Sequence, residues 1–325
     1  MEHSFDTKES SLVLDQQSEI ERRKQALMTI MSKGLPTLPG YILDLNALLS
    51  SPSVDLKKVG KLIRTDPSLT AQILKLCNSA LFGMKSRVLS IEQASILMGT
   101  ERLRTLILTC SAMQFAGNSL RAESQLDFWQ HSFLAALLSE RIANVMDYSE
   151  KEQAYLAGLL HDVGQLPLWM VVSQEENKRR PSPPANWVDN TELEQQYFGM
   201  DHCTVGRWLA LSWNLMPSFV DVLEHHHKPA LAEHDSYLAG IVGIADRFLQ
   251  MQAERPADES MVVVEAHDNV EPGSFVAECM PMTSEAERQG IAEMLQTEYI
   301  HLLPLVQLGF ASVGTEANGS KQKSR

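Results

Sequence analysis

Seven residues of this sequence carry side chains that their apolar surroundings do not need for packing. His131 opens HSFLAALLSERIANVM, His161 and Asp162 stand side by side in AYLAGLLHDVGQLPLW, and Asp246 lies inside YLAGIVGIADRFLQM. His202 follows Asp201 in MDHCTVGRWLALSW, and His226 and His227 belong to LEHHHKP. Imidazoles and carboxylates together are ligands suited to Fe, Mn, Zn or Mg. His131, His161, Asp162 and Asp246 supply two of each, a set for one ion. His202, His226 and His227 could hold a second, bridged to the first through Asp162. Two metals are what phosphodiester hydrolysis requires, to activate water and to stabilise the leaving oxygen. Each residue also has a plainer reading. A buried histidine can simply be hydrogen-bonded in the core, and His225, His226 and His227 can favour a helix C-terminus or lie in solvent. A single Asp in an apolar helix is costly unless paired or bound, so both readings require partners.

The elements that must position these residues read as helices. His131, Leu134, Ala135, Leu138 and Ile142 follow i, i+3, i+4, i+7, i+11 spacing and share one face, which carries His131 into the interior. Ala154, Ala157, Gly158 and His161 form a stripe of small residues that ends in the imidazole. Gly164 and Pro167 then break that helix, leaving His161 and Asp162 near its C-terminal end. Ala239, Gly243 and Asp246 repeat the arrangement with a carboxylate last.

Helix signals recur along the chain and strand signals are nearly absent, so the fold class is all-α. Capping boxes are read at Ser18–Glu21, Ser90–Gln93, Ser149–Glu152 and Thr191–Glu194. Asp66 with Pro67, and Asp201, mark two further helix starts. Residues 1–34 form a disordered stretch to about residue 17 and a leading helix to about Lys33. GLPTLPG opens a first compact unit, residues 35–120, of short helices. The second, residues 121–252, is interrupted by QEENKRRPSPPANWVDN, a charged, proline-rich segment whose KRR reads as a solvated cluster. Residues 253–325 comprise an acidic loop to about Glu287 containing the strand-like MVVVEA, a last helix over Arg288 to Leu308, and a disordered tail from Ala311.

A net charge of −13 and 44% hydrophobic residues exclude a broad nucleic-acid or anionic-membrane surface. Cys77, Cys110, Cys203 and Cys279 lie far apart without CxxC spacing, as expected of free thiols in a reducing cytoplasm. The N-terminus has no signal-peptide h-region, and no apolar run reaches the roughly 18 residues of a membrane span.

Three segments resemble the HDOD (HD-related output domain) branch of the HD superfamily. LPTLPGYILDLNALLSSPSVDLKKVGKLIRTDPSLTAQILKLCNSALFG is similar to its N-terminal portion and AYLAGLLHDVGQLPL to its HD helix. ELEQQYFGMDHCTVGRWLALSWNLMPSFVDVLEHHHKP is similar to the E…FGxDHxxVGxxL…W…P…HHxP stretch. The likeness covers Leu35 to Met251. It implies two helical parts packed together and a place in bacterial signal transduction, where many such domains act as regulatory modules. The related HD-GYP proteins hydrolyse cyclic di-GMP at a metal site. This sequence departs from them at Gln165, where a lysine usually contacts substrate phosphate, and in lacking GYP after the histidines. Metal ligands thus survive better than substrate-gripping groups.

The expectation is a regulatory module working through contacts with signalling proteins, its HD site degenerate and either holding a residual divalent metal or none. The alternatives are a metal-dependent phosphohydrolase, with Asp162 bridging the ions and a metal-activated water attacking phosphorus, or a sensor that binds a nucleotide without cleaving it.

Overall fold

The structure, a computed structural model, describes residues 3–32, 56–63, 67–78, 87–99, 103, 106–107, 110, 122–180, 182–184, 186–213, 215–254 and 273–314. It is all-α: among the described residues there is no strand. The helices are α1 (His3–Ser32), α2 (Leu56–Ile63), α3 (Pro67–Cys77), α4 (Ile91–Met98), α5 (Ala122–Val145), α6 (Lys151–Leu160) and α7 (Gln165–Asn177). They continue as α8 (Thr191–Phe198), α9 (His202–Ser212), α10 (Pro217–His225), α11 (Ser236–Ala253), α12 (Ser274–Cys279) and α13 (Glu285–Gly314), with a 3-10 turn at Pro229–Leu231.

Helix α5 is the central strut. The small residues of α6 pack along it, with Gly158 against the Ala135 carbonyl, while α11 and α13 pack against other parts of its surface. Helices α9 and α10 form an antiparallel-type pair joined by a short connection, and α10 leans on α11 and α6. Helices α2, α3 and α4 pack on one another. Their core of Val59, Ile63, Leu69, Ile73 and Ala94 is fully buried, the apolar spacing of short amphipathic helices.

Helix ends follow local chemistry, with exceptions that tertiary packing explains. Ser90 caps α4 by accepting from the Gln93 N–H, and the Gln93 side chain reaches back to the Leu89 N–H. Asp201 caps α9 through the Thr204 N–H. Pro67 does start α3, while Asp66 lies outside the described residues. Ser18–Glu21 is not a helix start, because α1 already runs from His3. No glycine or proline occurs between His3 and Ser32, so a polar composition read as disorder offers nothing to break the helix. Ser149 does not cap α6: the positive φ of Asp147 closes the preceding turn and leaves Glu150 at the cap position. Asn190, not Thr191, caps α8, by accepting from the Leu193 N–H.

Further corrections concern loops. Gly164 and Pro167 do not simply end a helix. Pro167 lies in the first turn of α7, where its missing N–H is not required. The charged segment after Ser173 is helical to Asn177; of its KRR, Lys178 and Arg179 are exposed as a solvated cluster would be, while Arg180 also reaches Glu175. The acidic loop contains α12, and α13 continues to Gly314 past Pro304, so residues 311–314 are helical rather than tail. GLPTLPG, MVVVEA and residues 315–325 lie outside the described residues.

Helix α1 is strapped onto α7 and α8 by charge. Arg22 donates from both terminal nitrogens to Glu175, at 2.8 and 2.5 Å, and Arg23 lies over the Tyr197 ring at 3.9 Å. The Glu175 side chain is 2% exposed and Arg22 holds its carboxyl below the usual range, against the opposing effect of burial. A depressed folded-state value means that the stabilisation is present above the ordinary glutamate value of 4.5 and is lost as pH falls through the lower folded one. Glu175→Gln is therefore expected to lower stability by about 2–4 kcal/mol in urea denaturation at neutral pH. The deficit should shrink in acid, where the wild type loses the same ion pair.

Among the described glycines, Gly164 has the tightest backbone approach. A Cβ there would lie 2.0 Å from the His202 carbonyl oxygen and 2.7 Å from the Gly206 nitrogen, both in α9. Backbone cannot swing aside as a side-chain tip does, so Gly164→Ala must push α9 from the 161–164 turn. We expect a loss of at least about 3 kcal/mol in thermal or urea unfolding; a loss below about 1 kcal/mol would mean that α9 is free to shift.

Candidate metal centre

Helix ends bring the site together. His161 occupies the C-cap position of α6, and its Nδ1 must donate to the Gly158 carbonyl at 2.7 Å, because a carbonyl only accepts. His226 does the same at the end of α10, with Nδ1 2.9 Å from the Val222 carbonyl. His202 begins α9, and its Nδ1 donates to Glu194 Oε2 at 2.7 Å while its backbone N–H donates to the same oxygen at 2.8 Å. Each of these rings, when neutral, therefore turns the Nε2 lone pair inward. Histidine held by a carboxylate or carbonyl at its far nitrogen is the usual second layer of a metal site.

Asp162 lies between two groups of imidazoles. Its Oδ2 accepts from Gln165 Nε2 at 2.8 Å and is 3.4 Å from His161 Nε2 and 3.7 Å from His131 Nε2. Its Oδ1 is 3.4 Å from His202 Nε2 and 3.5 Å from His226 Nε2. Asp246 reaches in from α11, with Oδ1 3.3 Å from His131 Nε2 and 3.5 Å from His161 Nε2; Gln250 fixes its Oδ2 at 2.9 Å. Gly243, one turn before Asp246, lets α11 approach so closely that a Cβ would stand 2.4 Å from the His226 carbonyl.

All seven residues singled out from the sequence thus meet in one place. Helix periodicity did not identify an eighth, Asp189. It comes from the charged segment read as a solvated loop, which is anchored instead by Trp187, buried against Trp169 and Phe198. Asp189 adopts φ 58°, accepts from Gln250 Nε2, and places Oδ1 3.2 Å from His227 Nε2 and 3.8 Å from His202 Nε2. A buried tryptophan within a polar loop was the available signal. Glu194, taken for a capping-box residue, and Gln165 were missed as the groups that orient His202 and Asp162.

The residues fit divalent cations on the molecule's own chemistry. Oδ1 of Asp162, Asp189 and Asp246 are buried without a hydrogen-bond partner, although buried carboxylate oxygens are normally satisfied. Ligand atoms about 2.1 Å from one ion lie about 3.0 Å apart in octahedral and about 3.4 Å apart in tetrahedral coordination. The Nε2–carboxylate spacings above run from 3.2 to 3.8 Å, within a few tenths of an ångström of the tetrahedral value. His131, His161, Asp162 and Asp246 form one set, and Asp162, Asp189, His202 and His226 an adjacent one.

Electrostatics divide the rings. Burial pushes His226 down to about 3, with His227 adding repulsion, so its ring is neutral and able to ligate. Burial also acts on His161, but Asp162 and Asp246 more than offset it and hold that ring well above the ordinary value. Asp189 is raised by burial and by repulsion from Asp246 and Asp162. Three carboxylates so close require positive charge among them. His131, His227 and Asp189 retain 26%, 23% and 15% side-chain exposure, so the cluster opens to solvent on their side.

A sequence model of the HDOD domain matches residues 35–229. The fold is similar to that of an HDOD domain protein of unknown function from Geobacter sulfurreducens, with TM-score 0.66 and 25% identity, covering 90% of this chain and 99% of that one. It is also similar to a candidate phosphohydrolase from Shewanella amazonensis SB2B, with TM-score 0.62 and 24% identity over 87% and 97% of the two chains, a likeness of fold alone. An uncharacterised protein of Treponema pallidum is 26% identical over 234 residues, covering 69% of this chain and 44% of the relative's own length, less than half of it. Among the described residues, no helix is long and apolar enough to cross a membrane. A match over more than half the sequence, together with a helical fold shared along nearly the whole Geobacter protein, places the chain in the HDOD domain family.

Proposed function

We propose that this HDOD protein binds two divalent metal ions at the His/Asp cluster and hydrolyses a phosphate ester there. The observation that carries the proposal is the set of three buried, unpartnered carboxylate oxygens facing inward-turned histidine nitrogens. His131, His161 and Asp246, with Asp162 Oδ2, would hold the first ion. His202, His226 and Asp162 Oδ1 would hold the second, with Asp189 and His227 completing it on the open side. Divalent ions held by these residues would supply Lewis acidity and a water activated near neutral pH. The chain contributes orientation: Gln165 fixes the bridging carboxylate, Glu194 fixes the His202 tautomer, and the exposed edges of His131, His227 and Asp189 mark where a phosphate ester arrives. The substrate class is a cyclic dinucleotide or another phosphodiester.

One observation favours a second reading. Gln165 is 2% exposed and hydrogen-bonded to Asp162, so at this position the chain offers an uncharged, inward-held amide where a lysine would grip phosphate. On that reading the same cluster binds metal, or binds a nucleotide without turnover, and output passes through contacts with signalling proteins in the cytoplasm.

Elemental analysis of tag-free protein is expected to find one to about two equivalents of Fe, Mn or Zn; less than about a tenth after metal reloading would overturn the metal reading. Chelation should lower the melting temperature of the wild type, since a ligand present at 100 times its Kd stabilises by about 2.7 kcal/mol. The same treatment should leave Asp162→Asn nearly unmoved. With bis(p-nitrophenyl) phosphate, the metal-loaded wild type should turn over and Asp162→Asn should fall by at least about 100-fold with its helical circular dichroism intact. Metal-loaded protein without turnover would select the second reading.

A further inference from the structure

We propose that Cys203 is a metal ligand, its thiolate joining His202, His226 and His227 so that the second position prefers zinc to harder cations. The inference rests on the metal reading above and adds a sulfur donor to it.

Cys203 directly follows His202 at the start of α9, and its Sγ lies 3.4 Å from His202 Nε2. His202 Nε2 is in turn 3.3 Å from His226 Nε2 and 3.1 Å from His227 Nε2. One ligand atom from each of the four residues lies within 4.8 Å of the others. Zinc at 2.3 Å from sulfur and near 2.05 Å from nitrogen in a tetrahedron sets S···N edges of about 3.6 Å and N···N edges of about 3.3 Å. The three edges that involve His202 Nε2, at 3.4, 3.3 and 3.1 Å, are close to these values. The two rings that Cys203 joins also face the buried, unpartnered Asp162 Oδ1 already assigned to the second position, at 3.4 Å from His202 and 3.5 Å from His226, so the thiolate adds to that donor set.

The two positions then differ in kind. His131, His161, Asp162 and Asp246 offer only nitrogen and oxygen, which suits Mn or Fe, whereas thiolate with imidazoles selects zinc. Binding exchanges the thiol proton for the cation, and the proton passes to bulk water. Among the described residues, Cys77, Cys110 and Cys279 belong to no such set. The competing account is that the Cys203 thiol merely donates to the inward nitrogen of His202.

The test uses the full chain, stripped of metal and titrated with Co(II) under reducing conditions. A sulfur-to-cobalt charge-transfer band in the near ultraviolet is expected in the wild type and in Cys279→Ser, and is expected to vanish in Cys203→Ser while the visible d–d bands remain. Zinc binding by Cys203→Ser should weaken at least as much as the roughly tenfold cost of losing an outer-layer partner, with Mn(II) binding unchanged. Visible d–d bands without charge transfer in the wild type would overturn the cysteine ligand and leave the metal centre standing. No Co(II) binding at all would overturn both. If Cys203→Ser does not fold, zinc-edge X-ray absorption of the wild type decides: a sulfur scatterer near 2.3 Å supports the ligand and a purely N/O shell rejects it.

Discussion

Burying Asp162 is the constraint around which the rest of the site is arranged. A carboxylate at 2% exposure between helices loses its hydration and must be repaid by charge and hydrogen bonds. Here one oxygen has Gln165 and two imidazoles, and the other has two imidazoles and no hydrogen bond. His161, His202 and His226 gather around this one group, and the helices that carry them are held at the distances its charge requires.

Helix termini make the arrangement economical. The last turn of a helix leaves carbonyls unpaired, and its first turn leaves N–H groups unpaired. His161 and His226 satisfy such carbonyls through Nδ1, while Glu194 satisfies the first N–H of α9 and orients the same residue's ring. Each of these groups serves both the helix end and the cluster. None of these caps depends on a bound ion, so the scaffold and the site are separable in principle even though they share atoms.

Function then turns on what reaches the open side. His131, His227 and Asp189 are the partly exposed members, so solvent reaches the cluster through them rather than through the sealed Asp162–His161 side. Gln165 marks the tension between hydrolysis and regulation. Its amide holds the Asp162 carboxylate but brings no positive charge to a phosphate. The proposed metal pair, with weak substrate grip, would suit a small or readily polarised ester and equally a site retained for signalling.

Much of this was legible locally. Helical periodicity placed Asp246 on a buried face and His131 on a face that is buried at Leu134, Ala135, Leu138 and Ile142 but leaves His131 itself partly exposed. Small-residue stripes announced close helix crossings, and Ser90, Pro67 and Asp201 marked helix starts. Those inferences hold because they depend on 3.6-residue repetition and on groups within one turn of each other. Where a cap competed with the site, local reading failed: Glu194 is directed to His202, and Asn190 takes the cap instead. Asp189 could not be found by periodicity, since its place depends on Trp187 docking between Trp169 and Phe198, residues distant in the chain. The sequence by itself determined the helical class, the buried faces and the seven imidazole and carboxylate groups. Only the tertiary structure decided that they meet, that Asp162 lies between two sets, and that Asp189, Glu194 and Cys203 join them, because burial and ligand spacing arise from helices packing across the fold.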